Sequence, residues 1–138
     1  MLDNTIYVRA NAPKPHQRII GKLMMQFGIL FYNLKKIPFE PFPETMIDES
    51  KTSPTPDILL FDNKQKQNKV IIEISGNTGA KRDFEKVKNL VEEYGVPEGF
   101  VYNYDLKQWR KYRLEEGEDT DNPSFSDVIG YDLDRLLK

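Results

Sequence analysis

Two acidic residues near the middle of the chain, Asp57 and Glu73, have the types and spacing of a carboxylate pair built into a sheet. They belong to two runs rich in apolar residues, 56–61 and 69–75, which are separated by a polar tract. Two such runs predict a β-hairpin with a longer loop. Glu73 has isoleucine on both sides, and strands rarely contain glutamate, so we expect its carboxylate to be buried.

The pairing of the two runs decides whether these acids meet. If Phe61 faces Lys69, with residues 62–68 as the loop, Asp57 faces Glu73 on one face of the sheet. Because opposed like charges are destabilising, a buried acid pair needs a shared proton or a cation. A hard divalent ion held by oxygens is the cation that also performs chemistry. A register slip of one residue would place the acids on opposite faces, and Asp57 alone also fits an ordinary turn residue.

The flanking segments predict the elements that position this pair. A helix is expected after Pro13, with a core-facing apolar stripe, and His16 falls in its first turn as a solvated or capping residue. Residues 39–42 should be extended, since proline disfavours helix at its own position and just before it. A run at residues 6–8 predicts an edge strand or a loosely held arm, and residues 131–137 predict a short closing helix.

A second helix is expected to end near Tyr94, where Gly-Val-Pro follows. Residues 100–104 and 109–114 predict two more strands, and residues 115–124 an acidic loop. Because a helix separates the strand that ends at Ser75 from the strand over 100–104, these two strands are predicted to be parallel neighbours. The chain is therefore expected to be an α/β protein with a central mixed sheet flanked by helices.

The second helix also carries residues that face the pair. At helical spacing Asp83 falls inside the apolar stripe, which directs it toward the sheet and Glu73 as an extra acid or a cap. Lys86 and Lys88 flank the stripe on either side, so either could approach the carboxylates. Ordinary solvation of the helix surface is the alternative interpretation for each lysine.

Length and composition indicate one ordinary globular domain over residues 1–138, in which no apolar run reaches membrane-spanning length. The absence of cysteine excludes thiolate metal sites, disulfides and cysteine nucleophiles, and it fits a reducing cytoplasm. A single histidine, His16, excludes multi-histidine zinc centres. If the protein is an enzyme, carboxylates and lysines must carry most of its chemistry.

The net charge of −2 is unevenly distributed and gives only a weak signal for nucleic acid. Residues 51–113 hold twelve Lys and Arg against nine Asp and Glu, whereas residues 114–138 hold two against eight. The middle of the chain could present a modest basic face, and the tail is acidic.

The order of these elements resembles the PD-(D/E)XK superfamily, the restriction-endonuclease-like fold with αβββαβ order. Within it, the chain resembles a bacterial family of proposed restriction endonucleases that is abundant in cyanobacteria. The likeness covers nearly the whole chain and rests on short stretches in a fixed order: His16-Gln17-Arg18-Ile19, Pro56-Asp57-Ile58, Glu73-Ile74-Ser75, Asp83 with the lysines after it, Gly95-Val96-Pro97-Glu98 and Gly130-Tyr131-Asp132-Leu133-Asp134.

The resemblance implies a site for Mg²⁺ or Mn²⁺ held by Asp57, Glu73 and the main-chain carbonyl of Ile74. It implies that the metal lowers the pKa of a bound water and offsets charge on the scissile phosphate. A lysine would position or help to deprotonate that water and stabilise the same charge.

Two departures from the superfamily pattern bear on this expectation. The lysine usually found two residues after the acid is replaced by Ser75, and in the resembling family the lysine comes from the next helix. Counting back from Gly95 places Val87 at that position, between Lys86 and Lys88. Many superfamily members also have a glutamate on the first helix, for which this chain offers only Gln17 or Gln26 as weak substitutes.

We therefore expect a Mg²⁺-dependent endonuclease that hydrolyses DNA, as a homodimer if both strands are cut. The alternative is a catalytically inactive protein of the same fold that acts as a binding or assembly module. RNA or a nucleotide is a more remote substrate, and no base-reading constellation predicts a sequence preference.

Overall fold

The computed structural model of this 138-residue chain describes residues 13–48 and 53–138. The run at residues 6–8 therefore lies outside the described residues. The helical elements are α1 (Lys14–Gly28), continued by a π-helical turn (Ile29–Asn33), α2 (Ala80–Tyr94) and a closing 3₁₀ helix (Leu133–Leu137). The strands are β1 (Glu40–Pro43), β2 (Ile58–Asp62), β3 (Gln67–Ser75), β4 (Glu98–Asn103), β5 (Gln108–Arg113), β6 (Gly117–Asp119), β7 (Phe125–Ser126) and β8 (Tyr131–Asp132).

The first six strands form one mixed sheet in the order β1-β2-β3-β4-β5-β6, and β7 and β8 form a separate pair. All neighbours in the large sheet are antiparallel except β3 and β4, which are parallel. α2 makes the crossover between these two strands, as predicted, and the mixed α/β class is confirmed. The predicted acidic loop is partly wrong, because it contains β6 along the edge of β5.

The β2–β3 pairing agrees with the predicted register at one end and departs from it at the other. Ile58 pairs with Ile72, as it would if Asp57 faced Glu73 one step further on. The expected pairing of Phe61 with Lys69 is wrong: Phe61 pairs with Asn68, and the register shifts after Leu60. Lys69 is thus the extra residue of a β-bulge on the hairpin side, and the bulge leaves the opposite end of the strands in register.

The two faces of the sheet carry separate apolar cores, because successive side chains of a strand point to opposite faces. On one face α1 and the 3₁₀ helix cover a core that includes Leu23, Phe27 and Ile72. On the other face α2 covers a core that includes Ile71 and Val87. Glu73 has the parity of Ile71, so its side chain lies on the α2 face.

The start of α1 and the end of α2 both follow simple stereochemical rules. α1 begins directly after Pro13, where a missing N–H does no harm, and α2 ends at Gly95, which adopts a left-handed φ of 65°. Within the part of the chain that the structure describes, no helix combines the length and the apolar character needed to cross a membrane.

A buried ion network fixes the C-terminal segment to the far end of the sheet from Ser75. Lys111 is fully buried, and its ammonium donates to Phe125 O at 2.7 Å and to Asp127 Oδ2 at 2.8 Å. The same ammonium lies 3.5 Å from Glu98 Oε2, while Glu98 Oε1 accepts a 2.6 Å hydrogen bond from the Ser126 hydroxyl. A charge taken out of water needs such partners, so this network links β4 and β5 to the tail.

Close packing of α2 on β4 depends on a glycine. A Cβ added at Gly99 would stand 2.4 Å from Val87 Cγ1 and 2.9 Å from Val91 Cγ2. We expect Gly99→Ala to lower the free energy of unfolding by about 1–3 kcal/mol, because the added methyl would force the helix away from the sheet. Denaturant unfolding measures the change.

Gly21 provides the matched control, since a Cβ added there meets nothing within 4 Å. Gly21→Ala should stabilise α1 by up to about 1 kcal/mol, because alanine is the better helix former. Equal effects of the two substitutions would contradict the close approach at Gly99.

Candidate active site

The Glu73 carboxylate lies in the central strand β3 and is almost removed from water, with 4% of the residue exposed. Its Oε2 atom is buried and accepts no hydrogen bond of normal geometry from the described residues. The Lys86 ammonium, from α2, lies 3.1 Å from this oxygen in an ion pair. A buried carboxylate is therefore held by one cation and lacks the set of donors that ordinarily accompanies such a group.

Electrostatics at Glu73 disfavour the charged form. Burial raises the pKa of Glu73 from its ordinary 4.5 to about 8, and the nearby negative charges of Asp57 and Asp83 act in the same direction. The Lys86 charge opposes this shift without cancelling it. The site thus has a deficit of positive charge around three carboxylates.

The structure separates the two candidate lysines. Lys86 contacts Glu73, but Lys88 lies 3.6 Å from Glu85 Oε2 and stacks over the Tyr112 ring, so it belongs to the surface between α2 and β5. The two side chains diverge because they are two residues apart on a helix, which places them on different sides.

Asp83 reaches the sheet as its place in the apolar stripe of α2 predicts. Its Oδ2 accepts a short hydrogen bond from the hydroxyl of Ser75, which lies two residues after Glu73 in β3. Glu73 and Ser75 have the same parity in β3, so they lie on the same face of the strand. Ser75 thereby ties the first turn of α2 to the strand that carries Glu73.

Asp57 stands just before the first residue of β2 and is held by two donors from different elements. The main-chain N–H of Ile74 donates to Asp57 Oδ2 at 2.8 Å, and His16 Nε2 lies 3.2 Å from the same oxygen. Because Asp57 lies at the end of the sheet, the α1 layer can reach its carboxylate while α2 covers Glu73 on the other face.

The expectation for His16 as a solvated or capping residue is wrong. The hydrogen bond to Asp57 raises the pKa of His16 above its ordinary value, and burial opposes this effect. Its partner is 41 residues away along the chain, so no local pattern could reveal the contact. The only signal in the sequence was the motif His16-Gln17-Arg18-Ile19. Within this motif Gln17 is exposed, and its Oε1 lies 3.2 Å from His16 Nδ1.

The main chain beside Asp57 offers one further oxygen to the site. The main-chain N–H and C=O groups of successive strand residues point toward alternate neighbouring strands. The Ser75 carbonyl points toward β4, because it accepts a 2.9 Å hydrogen bond from Tyr104 N. The Ile74 carbonyl is accordingly directed to the β2 side, as its N–H is. Pro56 has no N–H with which an extended β2 could bond this carbonyl.

Among the described residues, no group of three or more His, Asp or Glu side chains is arranged to hold a metal ion. Two other stretches that carry the family resemblance contain acidic residues whose contacts lie outside the site and hold the fold together. Glu98 belongs to the buried Lys111 network, and Asp134 accepts a 3.0 Å hydrogen bond from the Trp109 indole.

Comparisons with known proteins agree with this description of the fold. A crystal structure from Anabaena variabilis ATCC 29413, described as a putative nuclease belonging to DUF820, superimposes with a TM-score of 0.67 at 14% sequence identity. The match covers 91% of this chain and 82% of that one. No family model matches the sequence, and no curated protein does. The chain thus shares the fold of that protein.

The displaced pKa of Glu73 should make the stability of the metal-free protein depend on pH. Between pH 4.5 and about 8 the folded chain retains a proton that the unfolded chain has released, so the free energy of unfolding should fall as pH rises through this window. Glu73→Gln should make this fall smaller, because it removes the Glu73 contribution, and urea unfolding in EDTA at a series of pH values measures the change.

Glu85→Gln on the same helix is the control, because the Glu85 side chain is 61% exposed. It should keep the wild-type pH profile. A Glu73→Gln profile that parallels the wild type would contradict the electrostatics described above.

Proposed function

We propose that this protein is a metal-dependent endonuclease that hydrolyses phosphodiester bonds of DNA. The observation that carries the proposal is Glu73 Oε2, a buried carboxylate oxygen without a normal hydrogen bond beside Asp57 and Asp83. A site arranged in this way favours a bound cation, since a divalent ion would neutralise the carboxylates that raise the pKa of Glu73.

Mg²⁺ or Mn²⁺ fits the donors present. Mg²⁺ commonly uses one or two protein carboxylates and fills its remaining positions with water and substrate phosphate, so a cage of three acids is not required. Asp57 and Glu73 would hold it, with the Ile74 carbonyl, which Pro56 cannot bond, as the third oxygen. The ion would supply a lowered pKa for its bound water and stabilisation of charge on the phosphate.

The other residues of the site have roles that follow from their contacts. Lys86, whose partly exposed side chain pairs with Glu73, would orient the attacking water and stabilise negative charge on the phosphate. His16 and the Ile74 N–H hold the Asp57 carboxylate in position, and Ser75 does the same for Asp83. Such supporting hydrogen bonds fix ligands in a productive orientation before substrate binds.

DNA is proposed as the substrate on the family resemblance, and the description of the Anabaena protein as a putative nuclease agrees with a nucleic-acid substrate. One site cuts one strand at a time, and cutting both strands together usually takes two sites, which a homodimer would supply. A nicked product from a monomer and a linear product from a dimer would distinguish the two arrangements.

A second candidate function has an observation in its favour. Glu73 already pairs with Lys86, and the described helix α1 carries no acidic residue, unlike many superfamily members. A protein that retained the fold and lost the reaction would show these features and would act as a binding or assembly module.

Plasmid cleavage in Mg²⁺ or Mn²⁺ separates these functions. We expect Asp57→Asn and Glu73→Gln each to lower the rate by about 10²-fold or more, because each removes a ligand charge. Mg²⁺ should raise the melting temperature of the wild type and not of these variants. Cleavage that survives both substitutions would show a contaminant, and a wild type with neither cleavage nor metal stabilisation would favour the binding module.

The position of the lysine can be tested by moving it. Lys86→Met should lower the cleavage rate by about 10²–10³-fold, since it removes a donor from the site, whereas Lys88→Met should leave the rate unchanged. Adding Ser75→Lys to Lys86→Met should restore part of the rate, because position 75 lies on the same face of β3 as Glu73. Loss of activity in Lys88→Met equal to that in Lys86→Met would contradict the assignment.

A further inference from the structure

The outer surface of α1 carries three exposed cations in register, Lys14, Arg18 and Lys22. Residues four apart on a helix lie on the same side, so the three side chains form a row that starts in the first turn. The helix contains no acidic residue at all. None of the three cations pairs with a carboxylate of the described chain.

Helix stability does not explain this row. The N-terminal half of a helix is the positive end of its dipole, where acids stabilise and cations do not. Three positive charges repel one another along this surface, and the helix itself provides no acid to offset them. Their placement favours a negatively charged partner from outside the molecule.

A fourth cation joins the row from a different part of the chain. Lys22 and Lys107 line the same cavity of about 240 Å³, together with Tyr102, Asp134 and Lys138. Lys138 is offset by Asp134 at 3.3 Å, while Lys107 pairs with no carboxylate among the described residues. We define the basic rim as Lys14, Arg18, Lys22 and Lys107.

The basic rim borders the candidate active site. His16, in the first turn of α1, contacts Asp57, so the row of cations begins beside the carboxylates. Lys107 lies in the β4–β5 turn, which is fixed to the segment after Glu73 by a 2.9 Å hydrogen bond from Asn77 N to Asp105 Oδ2. The rim and the site therefore occupy the same end of the sheet.

We propose that the basic rim binds the phosphate backbone of duplex DNA and directs one strand into the site. This inference rests on the proposed function. The spacing favours a polymer over a single phosphate, since Lys14 and Lys22 are about 12 Å apart along the helix axis at 1.5 Å per residue. Duplex DNA presents one negative charge for about every 1.7 Å of its axis, which suits a row of separated cations.

The opposite end of the molecule supplies a matched set of cations. Lys35, Lys36, Lys64 and Lys66 are also exposed and pair with no carboxylate among the described residues. Lys66 lies in a hairpin turn at φ 57°, as Lys107 does at φ 56°. Replacing these four by glutamine removes the same charge as replacing the rim, so the two variants differ only in where the positive charge is removed.

The test is binding of a short fluorescent DNA duplex by the full chain in EDTA, where cleavage cannot occur, at several salt concentrations. The rim variant carries Lys14→Gln, Arg18→Gln, Lys22→Gln and Lys107→Gln, and the control carries the four substitutions at the opposite end. We expect the rim variant to bind at least about tenfold more weakly. The slope of the logarithm of the binding constant against the logarithm of the salt concentration should be smaller in magnitude by about 0.9 for each phosphate that the protein no longer neutralises. The control should stay within about twofold of the wild type.

Several outcomes would overturn the inference: equal decreases in affinity in both variants, no decrease in the rim variant, a wild type that does not bind DNA, or a rim that affects binding to anionic lipid vesicles and not to DNA. A second variant, Lys22→Gln with Lys107→Gln, leaves the first turn of α1 unchanged and should show about half of the slope change.

The same measurements separate the rim from the proposed reaction. Rim-dependent binding by a wild type that never cleaves DNA with Mg²⁺ or Mn²⁺ would uphold the rim and reject the nuclease. Cleavage with an unchanged KM in the rim variant would uphold the nuclease and overturn the rim.

Discussion

The structure depends on one constraint, the burial of a carboxylate in the middle of its central strand. Glu73 shares β3 with isoleucines on both faces and is almost removed from water, so the fold must supply whatever compensates its charge. The residues that surround it come from two separate parts of the fold: Asp57 before β2, and Asp83 and Lys86 from α2. The arrangement leaves the carboxylate short of positive charge, and this deficit is the chemical basis for assigning a function.

The two helices that cover opposite faces of the sheet bring different groups to the site. The parallel β3–β4 pair requires a crossover, and the crossover helix α2 begins at the end of β3 where Glu73 lies. α1 covers the other face, and its first turn reaches Asp57 because that residue lies just before the start of β2. At the far end, the buried Lys111 network and the close contact at Gly99 hold the strands and α2 together without taking part in the site.

The position of the amino group beside the acidic pair has a simple physical explanation. An amino group near the acidic pair can come from the strand or from the helix that packs over it, because both lie on the same face of the sheet. In this chain Ser75 occupies the strand position and bonds Asp83, while Lys86 supplies the ammonium from α2. The amino group near the pair is therefore carried by the helix and not by the strand.

The sequence by itself predicted the main helices and strands and the acidic residues of the candidate site. The isoleucines around Glu73 predicted its burial, the Gly-Val-Pro stop predicted the end of α2, and the helix between two strands predicted their parallel pairing, since these signals are local. Tertiary structure decided the rest. The bulge at Lys69, the choice of Lys86 over Lys88 and the contact of His16 with Asp57 depend on where separate elements meet, and spacing along the chain carries no information about those contacts.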